Sequence, residues 1–328
     1  MTEHSAPCVA IVVVSFNTCA LLQQCLSSAV AQAPRALPGR PEPQAYTIVV
    51  DNASTDGSAE MVQREYPQAE LIRNNHNAGF ARGTNQGMRR ALELGAQYVL
   101  LLNPDAYLRK GALAALLEFM DQHPRVGCAG ARLFFPDGRP QEGAWRFPTP
   151  WMTLFDLFPP RGPLLGRLYY SPLNGRYVEE RDGTTPFPID HPLGAAMMLR
   201  RAALDEVGLL DESYWMYVEE VEWCLRCRRA GWAIWQVPRA EVVHVAGAST
   251  SQFRTRSFVA LHRSRLLYAR RYFSSAARRA NSAIVIAGML KLSLVSWFDQ
   301  LRGRIDVDEL RGRLLAYAEV IGEVMNNE

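Results

Sequence analysis

The chain has 328 residues, 48% hydrophobic and 21% charged, an ordinary globular balance that excludes fibrous and disordered classes. A net charge of +3 with only two Lys, Lys110 and Lys291, is too small to mark a nucleic-acid binder. Six scattered Cys form no zinc-like framework, which fits free thiols in a reducing compartment.

The length suits one large domain plus an appendage, or two ordinary domains. Val9 to Val14 is too short for a signal peptide and follows no basic segment. No uncharged apolar run reaches 18 residues; Ala283–Phe298, interrupted by Lys291, reads as a buried or interfacial helix rather than a membrane span.

Val9–Ser15 is a continuous β-branched run and predicts a strand buried on both faces. Thr18 is placed to cap a helix whose apolar side is Leu21, Leu22, Cys25, Leu26 and Val30. After a break at Pro34, Pro38, Pro41 and Pro43, Tyr46–Val50 reads as a second strand, and Asp51–Gly57 turns into a helix over Ser58–Glu65. Ala69–Ile72 predicts a third strand, Gly79–Leu94 a loop and helix, and Tyr98–Leu102 a fourth strand. Such alternation implies an α/β domain with a mostly parallel sheet and helices on both faces.

Gly143–Pro192 is rich in Pro, Gly and aromatics with little periodicity, and reads either as a long functional loop region or as structure that periodicity does not reveal. Gly194–Leu199 then reads as a strand, Arg201–Val207 and Trp215–Ala230 as helices, and Ala233–Val237 and Val242–Val245 as short strands. From about Ser251 the character changes. Between Arg254 and Arg279 eight Arg and no acid interleave with large apolar residues such as Phe258, Leu266 and Tyr268. A basic helical appendage of this kind suits an anionic lipid surface, and equally a solvated face packed on the rest of the protein.

Asn17, Asp51–Asp56 and Asn103–Asp105 each follow a strand end, where open α/β sheets bind ligands. No G-x-G-x-x-G follows the first strand and no P-loop occurs, so dinucleotide and P-loop chemistry are poorly supported. Cys224-x-x-Cys227 has no second pair to complete a zinc site and reads as two small residues on a helix face. Asn103-Pro104-Asp105 is either a turn or the carboxylate of a divalent-cation site that bridges phosphates. Glu222 and Arg226 stand at i,i+4 as a brace, whereas Glu219 and Glu220 point about 100° apart, as the helical period dictates. His244 ends a strand and becomes a metal candidate only if the fold brings it to Asp105.

Several ordered motifs resemble the family 2 glycosyltransferases of the GT-A fold, and most nearly their bacterial rhamnosyltransferase-like branch. They are Val12-Val-Val-Ser15-Phe16-Asn17, Val50-Asp51-Asn-Ala-Ser-Thr-Asp56-Gly57, Asn74 to Asn85, Leu101-Leu-Asn103-Pro-Asp105, Gly194 to Arg201, Val207 to Glu212, Tyr217 to Arg226 and Val242-Val-His244. The resemblance covers about residues 8–250. It implies a GT-A catalytic domain over 1–250, with a nucleotide-sugar half at 1–105 and an acceptor half at 106–250, and a helical C-terminal region at 251–328.

The resemblance also assigns roles. Ser15, Phe16, Asn17, Asp51, Asn77, Gly79, Phe80, Asn85 and Asn103 would bind the donor, with Asp51 on the nucleobase. Asp105 and His244 would hold Mg2+ or Mn2+. Glu220 would be the general base, and Asp190, Gly194, Trp215 and Glu219 would frame the acceptor. Asn103 replaces the first Asp of a full D-x-D, and Glu220 replaces the Asp of the family's E-D pair. The implied reaction is inverting transfer of a sugar, rhamnose foremost, from dTDP-rhamnose or a UDP-sugar to a glycan or lipid-linked acceptor in cell-surface polysaccharide synthesis. The implied setting is cytoplasmic, peripheral on the inner face of the membrane, with a homodimer left open. A silent sugar-nucleotide-binding scaffold and a nucleotidyltransferase are the alternatives. The first gains from Asn103; the second lacks a Gly-rich basic loop after the first strand.

Overall fold

A computed structural model describes residues 8–32, 45–163, 165–245 and 254–326. The Pro-rich break and the start of the appendage near Ser251 lie outside these. The chain divides into two compact units. One comprises Met1–Trp145, Glu179–Trp215 and Glu219–Ser249; the other comprises Arg146–Val178, Met216–Val218 and Thr250–Glu328.

The N-terminal elements are β1 (Val9–Ser15), α1 (Cys19–Ala31), β2 (Ala45–Asp51), α2 (Ser58–Glu65), β3 (Glu70–Arg73), α3 (Phe80–Glu93) and β4 (Tyr98–Leu102). Then come β5 (Ala106–Leu108), α4 (Ala112–Gln122), β6 (Val126–Phe134), β7 (Pro140–Gln141) and β8 (Ala144–Trp145). The middle of the chain, with little periodicity in its sequence, carries short elements: α5 (Pro150–Leu157), α6 (Gly166–Tyr169), α7 (Glu179–Asp182), β9 (Phe187–Pro188) and β10 (His191–Pro192). The rest is β11 (Ala196–Arg200), α8 (Arg201–Val207), α9 (Glu219–Arg229), β12 (Ala233–His244), α10 (Arg254–Tyr272), α11 (Ser275–Leu301) and α12 (Val307–Met325).

The first unit is an α/β sheet of order β3-β2-β1-β4-β11-β6-β12-β5, with β7 on β6 and β9 on β12. Strands β3, β2, β1 and β4 run parallel, β11 is antiparallel to both β4 and β6, and β12 returns parallel to β6. All seven residues of β1 are buried, as its β-branched run requires. Helix α1 covers the sheet with Leu22, Cys25, Leu26 and Ala29, spaced i, i+3, i+4 and i+7. Each fully buried Leu of this kind contributes roughly 1.5–3 kcal/mol. Helix α3 lies so close to β1 that a Cβ on Gly87 would overlap Val12.

Three local expectations change. Thr18 does not cap α1; its hydroxyl instead meets Ser15 Oγ at 2.9 Å. The helix expected from Trp215 starts at Glu219, because Tyr217 and Val218 both sit at φ 70° and the Trp215 carbonyl accepts from Phe80 N–H at 2.7 Å. The two short strands expected beyond residue 232 are one strand, β12, whose register shifts between Val237 and Glu241. Pro238 lies in that shift, where a residue with no N–H to donate is tolerated.

The second unit has its own core, built from Leu157, Val259, Leu266, Val285, Met289, Tyr317, Val320 and Val324. Part of its Arg-rich face is structural: Arg263 pairs with Glu319 and Glu323, and Arg265 pairs with Asp156 at 2.9 Å.

Candidate active site

Parallel pairing puts the carboxyl ends of β2, β1 and β4 side by side, with Ser15 in register with Asp51. Strand β11 runs antiparallel to β4, so its start, after Gly194, arrives at the same sheet edge. Strand β12 ends beside β5, with His244 opposite Ala106. Sheet order alone therefore gathers residues far apart in sequence.

Asp51 is buried at the end of β2. Its Oδ2 accepts from Ser54 N–H at 3.0 Å, while its buried Oδ1 has no hydrogen-bond partner among the described residues. Asn17, at φ 53°, welds the neighbouring turns: its N–H donates to Ser54 Oγ at 2.9 Å and its Oδ1 accepts from Thr55 N–H at 2.7 Å. Ser15 is fully buried against Thr18, with half-buried Phe16 beside it at the strand end.

The loop before α3 is held as tightly. Asn77 Oδ1 accepts from Gly79 N–H at 3.0 Å, and Asn52 Nδ2 donates to the Gly79 carbonyl at 3.1 Å. Gly79 sits at φ 89°, and a Cβ there would lie 2.5 Å from the Trp215 indole. Trp215 is thereby fixed by its backbone to Phe80 while its ring stays 46% exposed, open to a ligand. Asn85 serves differently. Its amide donates to the Leu210 carbonyl and to Glu212 Oε1 and accepts from Leu210 N–H, so it braces α3 against residues 210–212.

Asp105 and His244 converge: His244 Nε2 lies 3.4 Å from Asp105 Oδ1, and both residues are buried. His244 Nδ1 faces Gln141 Oε1 at 3.2 Å. The imidazole is thus held between the Gln141 amide on Nδ1 and the Asp105 carboxylate on Nε2. A nitrogen and a carboxylate oxygen facing each other at 3.4 Å are met either by a proton on Nε2 or by a cation between them. Asn103 Oδ1, two residues before Asp105, is likewise buried with no hydrogen-bond partner among the described residues. Oxygen and imidazole donors of this kind fit Mg2+ or Mn2+. Gln141 carried no sequence signal, since it lies on a two-residue strand.

Glu219, Glu220 and Glu222 open α9, where the helix dipole favours acids. Glu222 forms the expected brace, with both its oxygens 2.9 Å from Arg226 Nε; Arg226 also donates to the carbonyls of Val207 and Leu209. Glu219 is buried, with Oε2 lacking a hydrogen-bond partner among the described residues. Desolvation, and then the charge of Glu220, raise its carboxyl well above the usual carboxylate range. Half-buried Glu220 packs on Gly194, where an added Cβ would sit 3.4 Å from Glu220 Cγ. Asp190 is ion-paired to Arg228. Cys224 and Cys227 are buried free thiols, as two small residues on a helix face should be.

The family model described as glycosyl transferase family 2 matches residues 10–208. The chain belongs to that family. Glu220 and His244 lie beyond the matched span. Among curated proteins, this glycosyltransferase is 27% identical over 229 residues to N-acetylglucosaminyl-diphospho-decaprenol L-rhamnosyltransferase of Mycobacterium tuberculosis, covering 67% of this chain and 73% of that one. It is 29% identical over 254 residues to the low-salt glycan biosynthesis hexosyltransferase Agl10 of Haloferax volcanii, covering 76% of each. Among solved structures, the mannosyltransferase PcManGT of Pyrobaculum calidifontis, in complex with GDP-Man and Mn2+, superposes with a TM-score of 0.53 at 14% identity, covering 99% of this chain and 88% of that one. The shared architecture is GT-A.

Proposed function

We propose that this family 2 glycosyltransferase moves a rhamnosyl group, with inversion, from a nucleotide diphosphate donor to a hydroxyl of a glycan or lipid-linked acceptor. The sugar and the acceptor class rest on the name of the mycobacterial relative. The six free thiols suit the cytoplasm.

The observation that carries the mechanism is the shared edge of Asp51, Asp105, Glu220 and His244. Asp51 Oδ1 accepts from a donor N–H of the nucleobase. Asn103, Asp105 and His244 hold the pole where the diphosphate sits. A divalent cation bound by Asp105 and His244 would neutralise the charge developing on the departing nucleotide diphosphate; the Mn2+ in the mannosyltransferase of the same fold supports this reading. Glu220 takes the proton of the acceptor hydroxyl as that oxygen bonds to the anomeric carbon and the bond to the diphosphate oxygen breaks on the opposite face. Burial and the neighbouring Glu220 both raise the Glu219 carboxyl, which disfavours a second charge beside the base. Gly194 and Trp215 line the acceptor side, and Asp190 supports it through Arg228.

Incubation with dTDP-rhamnose or UDP-sugars, Mn2+ and a polyprenyl-diphosphate sugar tests the reading. Nucleotide diphosphate release coupled to a lengthened lipid-linked product, with the anomeric configuration inverted by NMR, is expected. Absence of transfer from every donor would overturn it.

A further inference from the structure

Helix α11 is apolar on its outer face as well as its inner one. Its outward stripe, Ala283, Ala287, Leu290, Leu294, Trp297 and Leu301, follows the i, i+4, i+7 rhythm, and every one of these residues is exposed. Leu294 is 61% and Trp297 51% exposed. The inner side joins apolar core residues, Val285 and Met289, to polar ones: buried Asn281 accepts from Thr153 Oγ1 at 2.8 Å and buried Ser296 meets the Tyr317 hydroxyl at 3.4 Å, while half-buried Lys291 on the flank donates to the Leu157 carbonyl at 2.6 Å. Water would not select an apolar outer stripe. The helix is long and apolar enough to cross a membrane. However, its inner side is committed to α5 and α12 through Val285 and Met289, so only one face is on offer.

We infer that the outward stripe of α11 lies in the surface of a lipid bilayer bearing anionic headgroups. Ala283 to Leu301 spans about 27 Å at the helical rise, lying along the bilayer plane rather than through it. Charge favours lipid over a second protein. Residues 254–304 hold eleven Arg or Lys against a single acid, Asp299; Arg263, Arg265 and Arg304 are ion-paired and Lys291 turns to the Leu157 carbonyl, and the balance is still strongly basic. Arg279 and Arg302, both exposed, bracket the two ends of the stripe. Trp297 stands near one end, where an indole suits the headgroup boundary. The same density of positive charge would repel a second copy of this helix. The inference stands on the helix itself and does not depend on the catalytic reading.

Full-length protein is sedimented with vesicles of phosphatidylglycerol and phosphatidylcholine, and with phosphatidylcholine alone. Wild type is expected to co-sediment with the anionic vesicles and to retain part of that binding at high salt, since apolar insertion is not screened. Combined Leu290→Gln, Leu294→Gln and Trp297→Gln should weaken partitioning at least tenfold. All three positions are exposed, so an unchanged Tm and an unchanged thermal shift with nucleotide will show that fold and donor site survive. Trp297→Phe should still bind while losing part of the emission quenching by brominated lipid. Wild type left in the supernatant, or a triple variant that binds as well as wild type, overturns the inference. So does a vesicle-free dimer in sedimentation velocity that the triple variant abolishes, which would make the stripe an interface between copies.

Discussion

His244 Nε2 stands 3.4 Å from Asp105 Oδ1, and Val245 N–H donates to the Asp105 carbonyl at 2.9 Å, so the end of β12 is stitched to the turn after β4. Gln141 meets the imidazole Nδ1 from the other side at 3.2 Å. Asp105→Asn and His244→Ala should each abolish Mn2+-dependent stabilisation by nucleotide. Gln141→Leu should keep both ligands but weaken Mn2+ by about 10–100-fold, the usual scale for losing an outer partner of a metal-bound His. Calorimetric titration of Mn2+ with nucleotide diphosphate present measures this. Full activity in excess EDTA would remove the cation from the reaction.

Glu220→Gln keeps the shape and the packing on Gly194 but cannot take a proton. Transfer should fall roughly 10²–10⁴-fold while donor affinity stays near wild type. Near-wild-type turnover by this variant would show that another group is the base.

The strand ends were legible because continuous apolar runs stop abruptly at Asn17, Asp51 and Asn103. The Glu222–Arg226 brace was legible for a related reason, since i,i+4 pairing is local. The meeting of Asp105 with His244 depends on β5 and β12 pairing across the sheet edge, and only family resemblance anticipated it. Nothing local announced that Tyr217 and Val218 would adopt left-handed backbone and delay α9 to Glu219. Nor does periodicity say which side of α11 faces inward. It marks a stripe, and the buried partners of Asn281 and Lys291 decide the side. The Arg run left both readings open for the same reason, because the partners of Arg263 and Arg265 lie far along the chain.

Burial of Glu219 predicts a pH signature. Its folded pKa is raised, so the native state holds the proton more tightly than the unfolded chain. Stability from this site is therefore lost as pH rises from the ordinary carboxylate range toward the raised value. Glu219→Gln should raise Tm at neutral pH, with the gain shrinking as pH falls toward 4; each 1 kcal/mol corresponds to about 1.5 °C at this size. His262 acts in the opposite sense. Desolvation lowers its pKa to about 4, so stability of the helical unit should fall as pH drops below about 6.5 toward that value. Thermal melts across pH 4 to 9 would expose both; a Glu219→Gln melt that tracks wild type at neutral pH contradicts the burial argument.

Gly79 offers a test of how the donor loop is held. Two separate costs attend Gly79→Ala. The backbone sits at φ 89°, a region L-residues rarely adopt, and the new Cβ would meet Trp215 Cδ1 at 2.5 Å and the Trp215 carbonyl at 2.6 Å. The loop must then shift, taking with it the Gly79 contacts to Asn52 and Asn77 and the Phe80–Trp215 hydrogen bond. Donor KM should rise at least tenfold, and stability should fall by about 1–3 kcal/mol, the scale of local backbone strain. Trp215→Ala in the same chain removes the ring clash but neither the carbonyl contact nor the positive φ. The double variant should therefore recover only part of the lost stability. Complete recovery would show that the indole alone demands glycine at this position; no loss in Gly79→Ala would mean that the loop is not held by these contacts.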